Sequence, residues 1–153
     1  MKRMTCFVAL LALSAPVWAA SQWSGVWVMR ESAAGLRLTM TLEEVGARWR
    51  ITMRIPLPNA QGPASASVMT IETALDGKDA LTLVDGKPST QSMQIRKIDD
   101  RHTITILKSD GKQTGISRSE LSADGRTITA ENDYSVSSAN GATNKQIQHW
   151  DKQ

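Results

Sequence analysis

A chain of 153 residues with 22% charged and 41% apolar side chains fits one globular domain and excludes wholesale disorder. Lys and Arg number 18 against 15 Asp and Glu, but Lys2 and Arg3 lie in an N-terminal leader; the rest of the chain is close to neutral, which removes the compositional case for nucleic-acid binding despite a pI of 9.2. Cys6, the only cysteine, lies in the same leader, so the remainder holds no disulfide, thiolate metal site or cysteine nucleophile.

Residues 1–19 read as a secretory signal peptide. Lys2 and Arg3 open it, Phe7 to Leu13 form the apolar stretch, and Val17, Trp18 and Ala19 place small residues at both positions that determine cleavage. Cleavage is predicted after Ala19, which leaves a single domain over 20–153 and a periplasmic or secreted product. The apolar stretch falls short of the roughly 20 residues that span a bilayer, so no retained anchor is expected. Cys6 precedes most of that stretch and is therefore not a lipidation cysteine.

Downstream, period-two alternation dominates. Leu36, Leu38, Met40 and Leu42 share one strand face, opposite Arg37, Thr39, Thr41 and Glu43. After a turn at Gly46, Trp49, Ile51, Met53 and Ile55 continue the apolar face opposite Arg48, Arg50, Thr52 and Arg54. The apolar face runs on through Met69, Ile71, Thr73 and Leu75, then Met93 and Ile95, Ile104 and Ile106, Ile128 and Ala130, and Ile147 and His149. No stretch keeps helical spacing. These runs predict an all-β fold, an up-and-down antiparallel β-barrel of 8–10 short strands, because a single sheet that long closes to remove its edges.

The punctuation agrees. Asp76-Gly77, Asp85-Gly86, Asp110-Gly111 and Asp124-Gly125 read as tight hairpin turns in preference to anion or calcium loops, since no further carboxylates alternate behind them. Asp99-Asp100 and Asn140-Gly141 mark two more turns. Pro56 to Ser67, with Pro56, Pro58, Pro63 and Gly62, is predicted to be a long loop, a solvated connection in preference to a lid.

Catalysis has little to work with. His102 and His149 stand in different strands, without His-x-His, His-Glu-x-x-His or Gly-x-Ser-x-Gly spacing, and the chain is expected not to be an enzyme and to hold no metal or cofactor. Arg48, Arg50 and Arg54, with Arg37, form a stripe that reads as a solvated face partly paired with Glu31, Glu43 and Glu44. Charged outward faces leave no lipid-facing belt, so an outer-membrane barrel is not expected. Tyr134 and four tryptophans are the aromatic residues after the leader, too few for the stacking platforms of sugar or single-stranded nucleic-acid sites. The inner face is aliphatic and methionine-rich. Leu38, Met40, Ile51, Met53, Met69 and Ile71 are the candidate ligand-binding residues; they either fill the ring or line a lipid-sized cavity, and filling is the favoured reading.

At Ser24-Gly25-Val26-Trp27 the chain resembles the Gly-x-Trp opening of calycin barrels, the lipocalin-like superfamily. Across nearly all of 20–153 it is similar to a group of small secreted bacterial lipocalin-like proteins, in Trp23 to Trp27, Asp76-Gly77-Lys78, Arg96-Lys97-Ile98-Asp99, Ser122 to Thr127 and Lys152-Gln153. The resemblance implies that Gly25 and Trp27 close one barrel end under a basic residue of the last strand; Lys152 is the best match by position, with Lys145 in the same strand. Asn132-Asp133-Tyr134 is similar to the Thr-Asp-Tyr turn of true lipocalins but sits too close to the C-terminus. Two functions follow as expectations: a binder of a small hydrophobic molecule, or a protein-interaction barrel with a filled interior, such as a protease inhibitor. Secreted metalloprotease inhibitors open with a similar Ser-Gly-x-Trp, but usually carry a disulfide that this chain cannot form.

Overall fold

The alternation resolves into ten strands: β1 (Gly25–Met29), β2 (Thr39–Val45), β3 (Arg48–Pro56), β4 (Ala66–Thr73), β5 (Asp76–Val84), β6 (Lys87–Lys97), β7 (His102–Ser109), β8 (Lys112–Leu121), β9 (Thr127–Asp133) and β10 (Lys145–Lys152). The computed structural model describes residues 21–32, 36–57, 66–137 and 144–153. The predicted leader with its cleavage site, most of the proline-rich connection and the turn predicted at Asn140-Gly141 lie outside these residues. Each strand pairs antiparallel with the next, and β1 also pairs with β10, giving a closed barrel in up-and-down order. Closure leaves no free edge. β1 achieves it with five residues, Trp27 standing between Lys152 of β10 and Met40 of β2.

Two of the Asp-Gly pairs are two-residue hairpins. Asp85-Gly86 joins the Val84 and Lys87 pair, Asp110-Gly111 joins Ser109 and Lys112, and both aspartates take positive φ, 50° and 49°. The other two differ from expectation. Asp76-Gly77 opens β5 behind Leu75 (φ 57°), whose carbonyl accepts from Lys97 N. Asp124-Gly125 sits in a longer loop, where the Asp124 carboxylate accepts from Ser122 Oγ at 2.6 Å and from Arg126 N at 3.1 Å. Because the corner at Leu75 sends β5 towards β6, β4 and β5 pair only from Met69 opposite Val84 to Ile71 opposite Thr82.

The Pro56 to Ser67 loop is shorter than predicted: Pro56 pairs with Ala66 and Ile55 with Ser67, so the connection is 57–65. A proline as the last strand residue costs the ladder little. Two inner faces are also corrected. In β7 it is Thr103, Thr105 and Leu107 that line the interior, so Ile104 and Ile106 take the opposite face; in β10 Gln148 and Trp150 line it, leaving exposed Ile147 and half-buried His149 on the outside. Isoleucine alternating with threonine suits a half-buried sheet in either orientation, and Leu107, on the threonine parity, is the residue that decides it.

Up-and-down order sorts the connections. Those after β1, β3 and β9 are the long ones, and they share one end of the barrel, the mouth, with the two Asp-Gly hairpins. The other end, the floor, holds residues 21–24, the turn at Gly46 and the chain terminus. A core cluster of Trp23, Trp27, Leu42, Leu121, Ile128 and Trp150 packs at the floor, and a second one of Met69, Ile71, Ala80 and Ile95 stiffens the wall beside it.

Candidate functional site

The floor is built from residues the sequence brings together only through ring closure. Trp27 is fully buried and its indole Nε1 donates to Trp23 O at 3.0 Å. The Lys152 ammonium lies 5.1 Å from the centroid of the Trp27 ring and donates to Gln22 O at 2.7 Å. A cation over an indole face is attracted by the ring quadrupole. The lysine stem crosses Gly25, where a Cβ would come within 2.7 Å of Lys152 Cε and where φ of +143° already disfavours any side chain. Lys145 is at the opposite end of β10, its Nζ 3.9 Å from Asp133 Oδ2. Trp23 Nε1 donates across the floor to Asp100 O at 2.8 Å, so residues 21–24 form a plug tied to the β6–β7 turn.

Above Trp23 the interior is hollow, contrary to the filled core favoured by the sequence. The cavity measures about 640 Å³, within the 300–1,000 Å³ range typical of small-molecule sites. Leu38, Met40, Ile51, Met53, Met69 and Ile71 all line it. The register sets five of them, with Leu42, in two rows across β2, β3 and β4: Met40 beside Met53 beside Met69, and Leu42 beside Ile51 beside Ile71. Met93 and Ile95 of β6 extend this wall.

The opposite wall is more polar, although Leu107 of β7 and Ile128 and Ala130 of β9 also line it. β8 lies five places from β3 in the ring of ten and therefore faces it. Ser117 and Ser119 of β8, Thr103 and Thr105 of β7, and Asn132 of β9 line this side. Short hydroxyl side chains leave the volume that a ring of aliphatic residues would have filled. The isoleucines of β7 concealed this wall from pattern reading, and the signal that reveals it is the pairing of Ser117 with Asn132 across β8 and β9. Tyr134 also lines the cavity, its ring set against Gly115, where a Cβ would come within 2.8 Å of Tyr134 Cδ1. Burial pushes the Tyr134 hydroxyl pKa up.

Ionisable groups are peripheral. Among the described lining residues they are Glu44, next to last in β2, and Lys97, the last of β6, both at the floor, together with Lys108 and Tyr134. Lys97 donates to Asp100 at 2.7 Å, and Lys108 to Asp79 at 3.0 Å. The histidines stand outside: His102 Nδ1 meets Asp99 at 2.8 Å, and the His149 ring meets Glu31. No group of three or more metal-ligating side chains occurs among the described residues. The arginine stripe is partly paired, Arg50 with Glu72 at 2.8 Å and Arg48 with the Glu72 carbonyl at 3.2 Å.

Exposed carboxylates set the acid response. Asp151, held by Arg30 through two hydrogen bonds and its charge, lies below the usual carboxylate range. Asp99 is lowered by the Arg101 N–H and then by the His102 ring, and Glu31 by the His149 N–H. A carboxyl more acidic when folded than unfolded contributes stability above its unfolded pKa and loses it as pH falls through the folded value. The melting temperature is therefore expected to decline below about pH 4, where ordinary carboxylates protonate. Asp76 is likewise lowered, by the Lys78 N–H and then its side chain. Asp151→Asn, at the β1–β10 closure, should flatten the decline and Lys78→Met should flatten it less; equal slopes in all three proteins would refute the assignment of Asp151.

Comparison of the chain with protein-family models, with curated proteins and with solved structures finds no match, so the fold stands on the barrel itself and the calycin likeness on the residues that carry it.

Proposed function

We propose that this protein is a calycin-type barrel, exported by its leader to the periplasm or the medium, that holds a small apolar molecule inside the barrel and performs no catalysis. The observation that carries the reading is the 640 Å³ cavity with its methionine-lined wall. Methionine adapts to irregular apolar shapes, and a preformed cavity limits the ordering cost of binding. Access is assigned to the mouth, where the connections are long, since the floor is plugged by residues 21–24. The ion pairs spread over the outer face support a water-facing barrel over one embedded in lipid. A protein-interaction barrel is the weaker reading because its interior was expected to be filled.

An uncharged solvatochromic dye such as Nile red tests the proposal. Saturable fluorescence enhancement with one site per folded chain is the expected result, reversed by an apolar competitor. Folded protein that leaves the dye unchanged would overturn the carrier reading and favour the interaction module.

A further inference from the structure

The wall across from the methionines carries an ordered set of hydroxyls. Thr105 of β7 stands opposite Ser117 of β8, and Thr103 opposite Ser119, so the four form two cross-strand pairs, one above the other. Directly paired residues of an antiparallel sheet lie about 5 Å apart, and successive inward residues of one strand about 7 Å. Apolar residues frame the set: Leu107 towards the mouth, Leu121 towards the floor, Ile95 beside Thr105 and Ala130 beside Ser119. All four hydroxyl residues are half-buried and line the cavity. Among the described residues no protein group engages their hydroxyls, and none of these oxygens is sealed from the space, unlike Asn132 Nδ2.

A purely apolar guest fits such a wall poorly, because a hydrocarbon pressed against it would strip water from each hydroxyl and return no hydrogen bond. Volume alone does not account for the hydroxyls either, since small apolar residues such as Ala130 would leave the same space without that cost. The wall also selects among polar groups. Each hydroxyl offers one donor and two acceptor positions, so the set has a surplus of acceptors and is best completed by a guest that donates. Alcohols donate, whereas esters and ketones do not. Lys97 and Lys108 already hold Asp100 and Asp79, so an ionised guest would surrender its hydration without a free lysine in the lining to replace it. In the ring of ten strands β7 faces β2 and β8 faces β3, which sets Met40 and Met53 across the cavity from the hydroxyls. A guest between them meets hydrocarbon on one side and hydroxyls on the other. A rigid ring presents that arrangement without the ordering cost that a flexible chain would bear.

We infer that the cargo is an uncharged, two-faced molecule: a rigid ring system whose one face carries hydroxyl groups that bond to Thr103, Thr105, Ser117 and Ser119, and whose other face is hydrocarbon lying along Met40 and Met53. The inference rests on the carrier reading and narrows it to a chemical class.

The test uses the purified chain and three molecules of one ring skeleton, each displacing Nile red: perhydrophenanthrene, its diol with both hydroxyls on one face about 5 Å apart, and the isomeric diol with the hydroxyls on opposite faces. The two diols withdraw the same groups from water, so the ratio of their affinities reads facial pairing. The same-face isomer is expected to bind about tenfold tighter, the ratio expected for one net hydrogen bond. Ser117→Ala combined with Ser119→Ala takes one member from each cross-strand pair with little change of volume, and should bring the ratio close to unity while leaving perhydrophenanthrene unchanged. Thr105→Val keeps the side-chain shape, should lower the ratio, and serves for the comparison if the double variant loses the wild-type urea midpoint. If perhydrophenanthrene displaces dye but the two diols bind alike, or if a folded variant keeps the full ratio, the inference fails and the carrier reading stands. If none of the three molecules displaces dye from the wild type, the carrier reading itself fails.

Discussion

Trp27→Ala is expected to lower the unfolding free energy by about 3–5 kcal/mol, the usual cost of truncating a large buried aromatic ring. The ring is fully buried in the floor cluster with Trp23, Leu42, Leu121, Ile128 and Trp150, and three groups depend on its position. Its Nε1 fixes the Trp23 carbonyl, its face receives the Lys152 ammonium, and its backbone pairs β1 to both β10 and β2. Truncation therefore opens a void at the point where the ring closes, which prevents neighbours from collapsing into it without parting the seam. Domains of this size are stable by about 5–15 kcal/mol, so the loss takes a large share of the total. Lys152→Ala removes the cation and one hydrogen bond but no buried volume, and about 0.5–2 kcal/mol is expected. Urea midpoints measured for both variants decide the matter. A tryptophan variant no less stable than the lysine variant would show that the indole does not close the barrel.

The floor was legible in the sequence because its parts lie at the two ends of the chain and carry specific residue types. Gly25, Trp27 and Lys152 follow from the resemblance, and the structure supplies the reason for the glycine: the lysine stem occupies the space of its side chain. The methionine wall was legible as well, since β2, β3 and β4 alternate cleanly between aliphatic and charged residues. The hollow was not. Whether a barrel is filled depends on the volumes of side chains meeting from opposite strands, and β7 presents isoleucine on one parity and threonine on the other, both at home in a sheet. Hydropathy put the isoleucines inside, whereas pairing through Gln94 opposite Ile106 and Ile95 opposite Thr105 puts the threonines beside Ile95 on the inner face. Asn132 escaped notice for a related reason: in the sequence it stood out only through a chance likeness to a lipocalin turn, whereas it is the penultimate residue of β9. Turn chemistry was read correctly at Asp85-Gly86 and Asp110-Gly111. It misled at Asp76-Gly77, because the positive φ of Leu75 had already turned the chain.

Met53→Arg is expected to abolish uptake of an uncharged guest, with affinity falling at least about a hundredfold, equivalent to about 2.7 kcal/mol. Met53 stands at the centre of the methionine row, between Met40 and Met69, on the strand that faces the hydroxyl wall. A guanidinium introduced there keeps its charge at any accessible pH, and a neutral chain packed against it would strip water from the cation, at several kcal/mol for a fully desolvated ion. The long stem lets the head reach towards solvent at the mouth, which limits the damage to the fold while still crossing the space a guest requires. Met53→Leu keeps shape and polarity and should bind within a few-fold of wild type, since swaps of similar volume are usually tolerated. Dye titration beside urea midpoints separates loss of binding from loss of folding. Should the arginine variant not fold, Met53→Trp fills the same space with a neutral ring and is expected to exclude the guest by volume alone. A folded arginine or tryptophan variant that takes up dye as the wild type does would place the bound dye outside the barrel, and the cavity would then be a consequence of the small residues on β7 and β8 and not a site.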